Sequence, residues 1–274
     1  MLVCSNLSVR YENNREWTLK NVNVKVFPGE LVLIVGASGS GKTTLAKVFS
    51  GLVPNFYPAE VKGEVRIFGK NPRELEPLEL IRLIGFLPQN PTDYVLSLIV
   101  EEEIVYLLEN LALDRDEIRN RLEKWLEALK IEHLRYRLTT ELSDGELQKV
   151  YLASLLSAQP KGLILDEPFA RLGPTSAQEL STILRRLADE GLAIMVTEHH
   201  LDDVLPLADR VYFLSEGRIV AEGNPKEIVK YLKEVDIPEI TEAFFELEKL
   251  GIRVEKPLSL SEALEVVQRY VGDS

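Results

Sequence analysis

The sequence predicts an α/β protein: a mixed, mostly parallel sheet flanked by helices, with an antiparallel β portion near the start, an inserted helical subdomain and a small helical extension at the end. Three observations carry this expectation. The apolar runs Leu31–Val35, Leu163–Leu165 and Leu192–Val196 read as fully buried strands, and helical patterns alternate with them, the mark of parallel strands joined by crossover helices. Leu2–Tyr11 and Leu19–Phe27 instead alternate apolar and polar residues, as half-buried antiparallel strands do. From about residue 90 to 158 only helical spacing remains.

In chain order, Pro28-Gly29 turns the second antiparallel strand into Leu31–Val35, and Leu45–Phe49 begins a helix. Glu64–Phe68 alternates and is closed by Gly69; Leu83–Pro88 is a strand leading into Gln89. Leu98 to about Lys130 is helical, with a break near Leu113-Asp114, where Asp114 is an N-cap and Glu117 its capping-box partner. Gly162–Asp166 is a buried strand ending in acid, Ala177–Glu190 an amphipathic helix stopped by Gly191, and Leu192–Val196 the next strand. After Gly223-Asn224-Pro225 a helix runs to about Lys233, and two short helical patterns follow Pro238. The apolar spacing of Phe244, Leu247 and Leu250, and of Leu258, Leu260, Ala263, Leu264 and Val267, suits packing on this chain or on a copy of it. Residues 1–224 therefore form the main domain, and 225–274 an extension.

The 274 residues suffice for one large domain with a small appendage, and a hydrophobic fraction of 45% is that of a packed core. A net charge of −12 argues against a protein that coats nucleic acid or is drawn generally to anionic lipid, while leaving room for a local docking patch. Cys4 alone cannot form an internal disulfide, which suits a reducing compartment; it reads as a small buried hydrophobe. No apolar run approaches the ~20 residues of a membrane span, and Met1–Asn6 lacks a signal-peptide layout, so the chain is expected to be soluble and cytoplasmic.

Gly36-Ala37-Ser38-Gly39-Ser40-Gly41-Lys42-Thr43-Thr44 fits the pattern G-x-x-x-x-G-K-S/T between a buried strand and a helix. In that context glycines let successive backbone N–H groups face inward, and the helix N-terminus adds positive potential, so the loop can cradle phosphate. Lys42 can reach β- and γ-phosphates, and the Thr43 hydroxyl can ligate Mg²⁺. Leu163-Ile164-Leu165-Asp166-Glu167-Pro168 sets two acids at a strand's C-terminal end, where open α/β sheets bind ligands. Asp166 suits a Mg²⁺ held through its water shell; Glu167 suits deprotonation of an attacking water.

With these motifs in this order the chain resembles the ATP-binding-cassette (ABC) ATPases over about residues 1–224. Gln89-Asn90-Pro91 is similar to the family's Q-loop, and Leu142-Ser143-Asp144-Gly145-Glu146 to its LSGGQ signature, although Ser143-Asp144-Gly145 also reads as a helix-capping turn. Ala170–Pro174 occupies the D-loop position. His199 resembles the switch histidine; placing Leu201 at the family's leucine leaves His200 and His133 as bystanders. Tyr11 stands where the family stacks an aromatic on adenine, and alone it also reads as a core aromatic. The resemblance implies the P-loop ABC ATPase core, ATP and Mg²⁺ as ligands (Mg²⁺ at Thr43, Gln89 and Asp166), and hydrolysis assisted by Lys42, Gln89, Glu167 and His199. It also implies a head-to-tail dimer in which Ser143 and Gly145 face the other subunit's phosphate loop.

Gln89–Ser97, Val100–Glu103 and Glu109-Asn110-Leu111 resemble the ATPases of energy-coupling-factor importers of the cobalt and vitamin type, and Asp236–Glu239 with Leu258–Leu260 resembles their C-terminal dimerisation domain. This implies a second ABC ATPase, homologous or identical, a transmembrane coupling subunit, a substrate-binding membrane subunit reached indirectly, and a place on the cytoplasmic face of the membrane. The chain departs from the family at Asp144 and Glu146 in the signature, Gly173 in the D-loop, and Lys149 where arginine is frequent. An ionised Asp144 near a triphosphate would be repelled by about a kcal/mol even in water. Two rival readings follow: a regulatory, weakly hydrolysing ATP-binding subunit, and a soluble ABC protein outside transport.

Overall fold

The structure, a computed structural model, describes residues 1–232, 237–250 and 255–272. Strands β1 (Leu2–Tyr11) and β2 (Leu19–Val26) lead to β3 (Leu31–Val35) and helix α1 (Lys42–Phe49). Next come β4 (Ala59–Ile67), α2 (Pro77–Ile81), β5 (Ile84–Leu87), α3 (Val100–Asn110), α4 (Arg115–Ala128) and α5 (Asp144–Ser157). The order then runs β6 (Gly162–Asp166), α6 (Pro174–Asp189), β7 (Ala193–Glu198), β8 (Arg210–Ser215), β9 (Arg218–Gly223), α7 (Pro225–Ile228), α8 (Glu239–Lys249) and α9 (Leu260–Gly272).

Two sheets form. One is antiparallel, in the order β2-β1-β4; the other runs β5-β6-β7-β3-β8-β9, its first five strands parallel and β9 antiparallel at the edge. Alternate residues of the central strands serve opposite faces. Leu31, Leu33 and Val35 join a cluster with α3 to α6, while Val32 and Ile34 join one with α1 and the antiparallel sheet. Burial on both faces is what makes these strands continuous apolar runs.

Periodicity assigns no strand to 208–223, yet β8 and β9 form a hairpin there. Its turn, Glu216-Gly217, has positive φ at both residues (48° and 78°), the geometry of a two-residue hairpin. β4 begins five residues before Glu64: its early part pairs with β1 across a bulge where a Cβ on Gly63 would lie 2.4 Å from Asn6 O. α6 starts at Pro174 rather than Ala177, with proline at its first turn. The helix expected to reach Lys233 is shorter: α7 ends at Ile228 and a 3₁₀ turn follows over Val229–Tyr231. Lys233 and Asp236 lie outside the described residues. In the extension, Phe244 packs with Ala263 and Val266, while Ile237, Phe245 and Leu258 join the main core.

The expected break at Asp114 is an N-cap: its Oδ1 accepts from the Glu117 N–H at 2.9 Å. Asp114→Ala is expected to cost about 0.5–2 kcal/mol in urea unfolding, the usual worth of such a cap; an unchanged midpoint would refute that role.

Candidate active site

Parallel pairing of β3, β5, β6 and β7 brings their C-terminal ends to one edge of the sheet. The Gly36–Gly41 loop, Gln89, Asp166-Glu167 and His199 each follow one of those ends, so residues far apart in sequence meet there.

The loop is shaped by close approach. A Cβ on Gly36 would lie 2.2 Å from Leu214 O, and Gly41 has φ +112° with a Cβ position 2.7 Å from the Leu19 side chain. Gly41 caps α1 without a side-chain bond, so the N–H groups of the first turn are left for a ligand. Ser40 Oγ is buried beside Gly36 with no hydrogen-bond partner among the described residues. Lys42, 4% exposed, donates to Gly36 O at 2.7 Å and Ala37 O at 3.2 Å. Tyr11 lies beside this turn, its hydroxyl donating to Thr44 Oγ1 at 3.3 Å; burial raises its pKa. Ala37, Ser38 and Gly39 form the outer curve of the loop, where a Cβ on Gly39 would meet open space.

Two carboxylates organise the rest. Asp166 Oδ1 accepts from Thr43 Oγ1 at 3.2 Å and Thr197 Oγ1 at 2.6 Å. Burial pushes the Asp166 carboxyl up, and the two hydroxyls oppose that by solvating its charge. Glu167 has φ +49°, a strained conformation for a side chain of its size, held by its N–H bond to Thr197 O at 3.0 Å. That bend turns its carboxylate to the centre of the edge. Gln89 Nε2 donates to Oε2 at 2.6 Å, while Lys42 Nζ and His199 Nδ1 each stand 3.6 Å from Oε1. At 3.6 Å the histidine separation is too long for a hydrogen bond; Nδ1 also stands 3.8 Å from Glu198 Oε2 and is buried with no hydrogen-bond partner among the described residues. Thr43, Asp166 and the Gln89 carbonyl are hard oxygen donors of the kind Mg²⁺ takes, so the residues present suit that ion.

Lys42, Thr43, Gln89, Asp166, Glu167 and His199 are thus brought together. Ser143 and Gly145 stand apart on α5, their contacts being with Glu146, Ser176 and Leu172. Ser143 is the N-cap in a full capping box with Glu146, which holds the Glu146 carboxyl below its usual range. Asp144 is exposed in the first turn, where the helix dipole favours an acid, and it borders a narrow crevice that also contains Gln89 and Glu167. Gly173 caps α6 without a side-chain bond, and a Cβ there would meet open space. Lys149 pairs with Glu179, joining α5 to α6. The rings of His199 and His200 are 4.1 Å apart and tilted by 45°.

Three side chains of this edge escape sequence reasoning. Thr197 bonds Asp166; Gln148 Nε2 donates to Pro168 O at 2.7 Å; and Glu198, fully buried, accepts from Phe169 N–H and His199 N–H. An acid directly before His199 in a buried strand is the signal that points to the last. Thr197→Val keeps the shape and removes one bond to a buried carboxylate. It is expected to cost about 1.5–3 kcal/mol in chemical denaturation; a loss below 0.5 kcal/mol on that same scale would show the bond is not needed.

A family model described as ABC transporter matches residues 19–170. PH1815 of Pyrococcus horikoshii, provisionally named an ABC transporter ATP-binding protein, is 35% identical over 268 residues, 96% of this chain and 94% of that protein. The solved structure of cbiO1 from Clostridium perfringens, part of the ABC transporter complex cbiONQ, is similar at TM-score 0.76 and 30% identity, covering 91% of this chain and 96% of that one. The cassette MJ0796, solved as a dimer in a post-hydrolysis state with ADP and Pi, is similar at TM-score 0.71 and 26% identity, covering 82% and 99%.

Proposed function

The chain belongs to the ABC transporter ATPase family, and from its likeness to cbiO1 we propose that it energises a membrane importer of a micronutrient, a vitamin or a transition-metal ion. It is an ATP-binding, ABC-type ATPase subunit of a transporter. The observation that carries the hydrolytic reading is the convergence of Lys42, Gln89 and His199 on the Glu167 carboxylate.

In this reading the N–H groups of Gly36–Thr44 and Lys42 hold the β- and γ-phosphates, and Tyr11 stacks on adenine. Thr43, Gln89 and Asp166, the last through water, would hold Mg²⁺, which when bound neutralises charge on the phosphoryl oxygens. Glu167 takes a proton from the attacking water while Gln89 orients its carboxylate; His199 donates to the γ-phosphate. Fixed donors around a partly buried centre act without reorganisation, and that supplies most of the barrier lowering. Ser143 and Gly145 serve the partner subunit's nucleotide.

Among the described residues no helix is long and apolar enough to cross a membrane. A transmembrane coupling subunit would instead dock in the apolar groove of about 610 Å³ beside α3 and α5, lined by Phe56, Leu80, Tyr94, Leu96 and Tyr106. Phe56 and Leu96 are 67% and 68% exposed there, more than a lone cassette needs. This supports a peripheral place on the cytoplasmic face. The resemblance of 89–111 to energy-coupling-factor ATPases and the likeness to cbiO1 support micronutrient import. The substrate-binding membrane subunit is then reached only through the coupling subunit. Residues 1–224 act as the ATP-binding domain, with the helical subdomain at 90–158, and 225–274 as a possible dimerisation domain.

Asp144 and Gly173 support a heterodimer with unequal sites: the chain's own phosphate-side set is complete, while its contributions to the partner's site are altered. They also favour a weakly hydrolysing regulatory subunit, against which the intact Glu167 and His199 weigh; turnover in the assembled complex distinguishes the two.

Lys42→Ala should weaken ATP binding about 10- to 100-fold by equilibrium titration, the worth of one charge-assisted contact. Glu167→Gln should keep ATP binding and lower turnover about 10²- to 10⁴-fold; wild-type hydrolysis by that variant would overturn the base assignment. Light scattering on Glu167→Gln with MgATP should give a one-to-one complex with a different ATPase of the same cell. A fully active homodimer of this chain alone would remove the case for asymmetry.

A further inference from the structure

Glu198 is the last residue of β7 and is 0% exposed. A buried carboxylate is expensive unless its lone pairs are met, and here backbone N–H groups meet them. Oε1 accepts from Phe169 N–H at 2.9 Å, and Oε2 from His199 N–H at 3.0 Å. The His200 amide is a third donor. Burial still dominates and pushes the Glu198 carboxyl up to about 7, with these amides and the nearby Glu167 charge modulating it.

The geometry of those two bonds matters more than their number. Phe169 lies two residues after Glu167, at the start of the segment that leads to α6. His199 is the residue whose Nδ1 stands 3.6 Å from Glu167. Glu198 therefore ties the turn that carries Glu167 to the backbone of His199, at the ends of two different strands. Gln148 pins the same turn from α5, through Pro168 O at 2.7 Å. The turn is strained at Glu167, where φ is +49°, so it needs such external ties to persist.

We infer that Glu198 is a positioning residue for hydrolysis: its one buried carboxylate holds the Glu167 turn and the His199 backbone in register, each oxygen serving one of them. The inference rests on the reading of Glu167 and His199 as a hydrolytic pair. Serine or threonine could reach one amide at most. Glutamine could satisfy one and would set an N–H₂ against the other donor.

The test measures steady-state ATP turnover in the assembled complex, normalised to ATP-binding stoichiometry, for E198Q, E198D, H199A and E198Q/H199A. Normalisation removes any fraction that is merely unfolded. Expected is a fall in kcat of about tenfold or more for E198Q, within the ~100-fold that a 1 Å misplacement can cost, with KM for ATP unchanged. The double variant should lose less than the product of the two single losses, because Glu198 acts partly through His199 and partly through the Glu167 turn. E198D keeps the charge but cannot span both amides, so it should also lose kcat per bound ATP; it carries the test if E198Q does not fold. Wild-type kcat in both E198Q and E198D, or losses that add fully to H199A, would overturn the inference. If H199A itself kept full turnover, the failure would lie with the hydrolytic pair and not with Glu198.

Discussion

The bonds from Thr43 and Thr197 to the Asp166 carboxylate hold the centre of this molecule together. They join the first turn of α1, the end of β6 and the end of β7, three places that the chain visits at widely separated points. Without those hydroxyls a nearly dry carboxyl would be left with burial and the neighbouring Glu167, both of which push its pKa up. With them, it becomes a fixed acceptor beside a loop of N–H groups. The parallel sheet is what lets the three meet, because it sends all its C-terminal ends to one side.

The same edge concentrates polar groups that a core of this kind would otherwise exclude. Lys42, Asp166, Thr197 and Glu198 are each at most 4% exposed. Each is answered locally: Lys42 by the carbonyls of its own loop, Asp166 by hydroxyls, Glu198 by amides. A buried ion left without partners costs several kcal/mol, so this mutual solvation is a condition of folding as well as of chemistry. Strain at Glu167 belongs to the same arrangement, since only a well-tied turn keeps an extended side chain in the left-handed region.

The departures from the family pattern lie at the signature turn and the D-loop, where a second subunit would meet this one in a head-to-tail dimer. Asp144 sits where a helix start welcomes an acid, and Glu146 completes the capping box that orders the first turn of α5. Both departures therefore suit the isolated fold. In the proposed head-to-tail dimer, what they would change is the charge offered to a facing nucleotide. Gly173 leaves α6 without a side-chain cap although nothing blocks one, so packing within this chain does not explain the missing side chain.

Much of this was legible in the residues. The loop Gly36–Thr44, the pair Asp166-Glu167 and the buried strands around them are contiguous patterns, and contiguous patterns follow from local sterics and a single hydrophobic period. Asp114 as a cap is legible for the same reason. The hairpin β8–β9 escaped because its signal is a two-residue turn at Glu216-Gly217 rather than a long period. The resemblance put Gln89 and Glu167 in one site, but the direct bond between them, 78 residues apart, and the role of Glu198 between Phe169 and His199, escaped for a deeper reason. Strand order and register are long-range pairings, and no local pattern states which ends will lie together. Which groups could do chemistry on a phosphate was readable from residue types and spacing; which of them share one carboxylate came from the fold, because the pairing of the strands sets the distances between them.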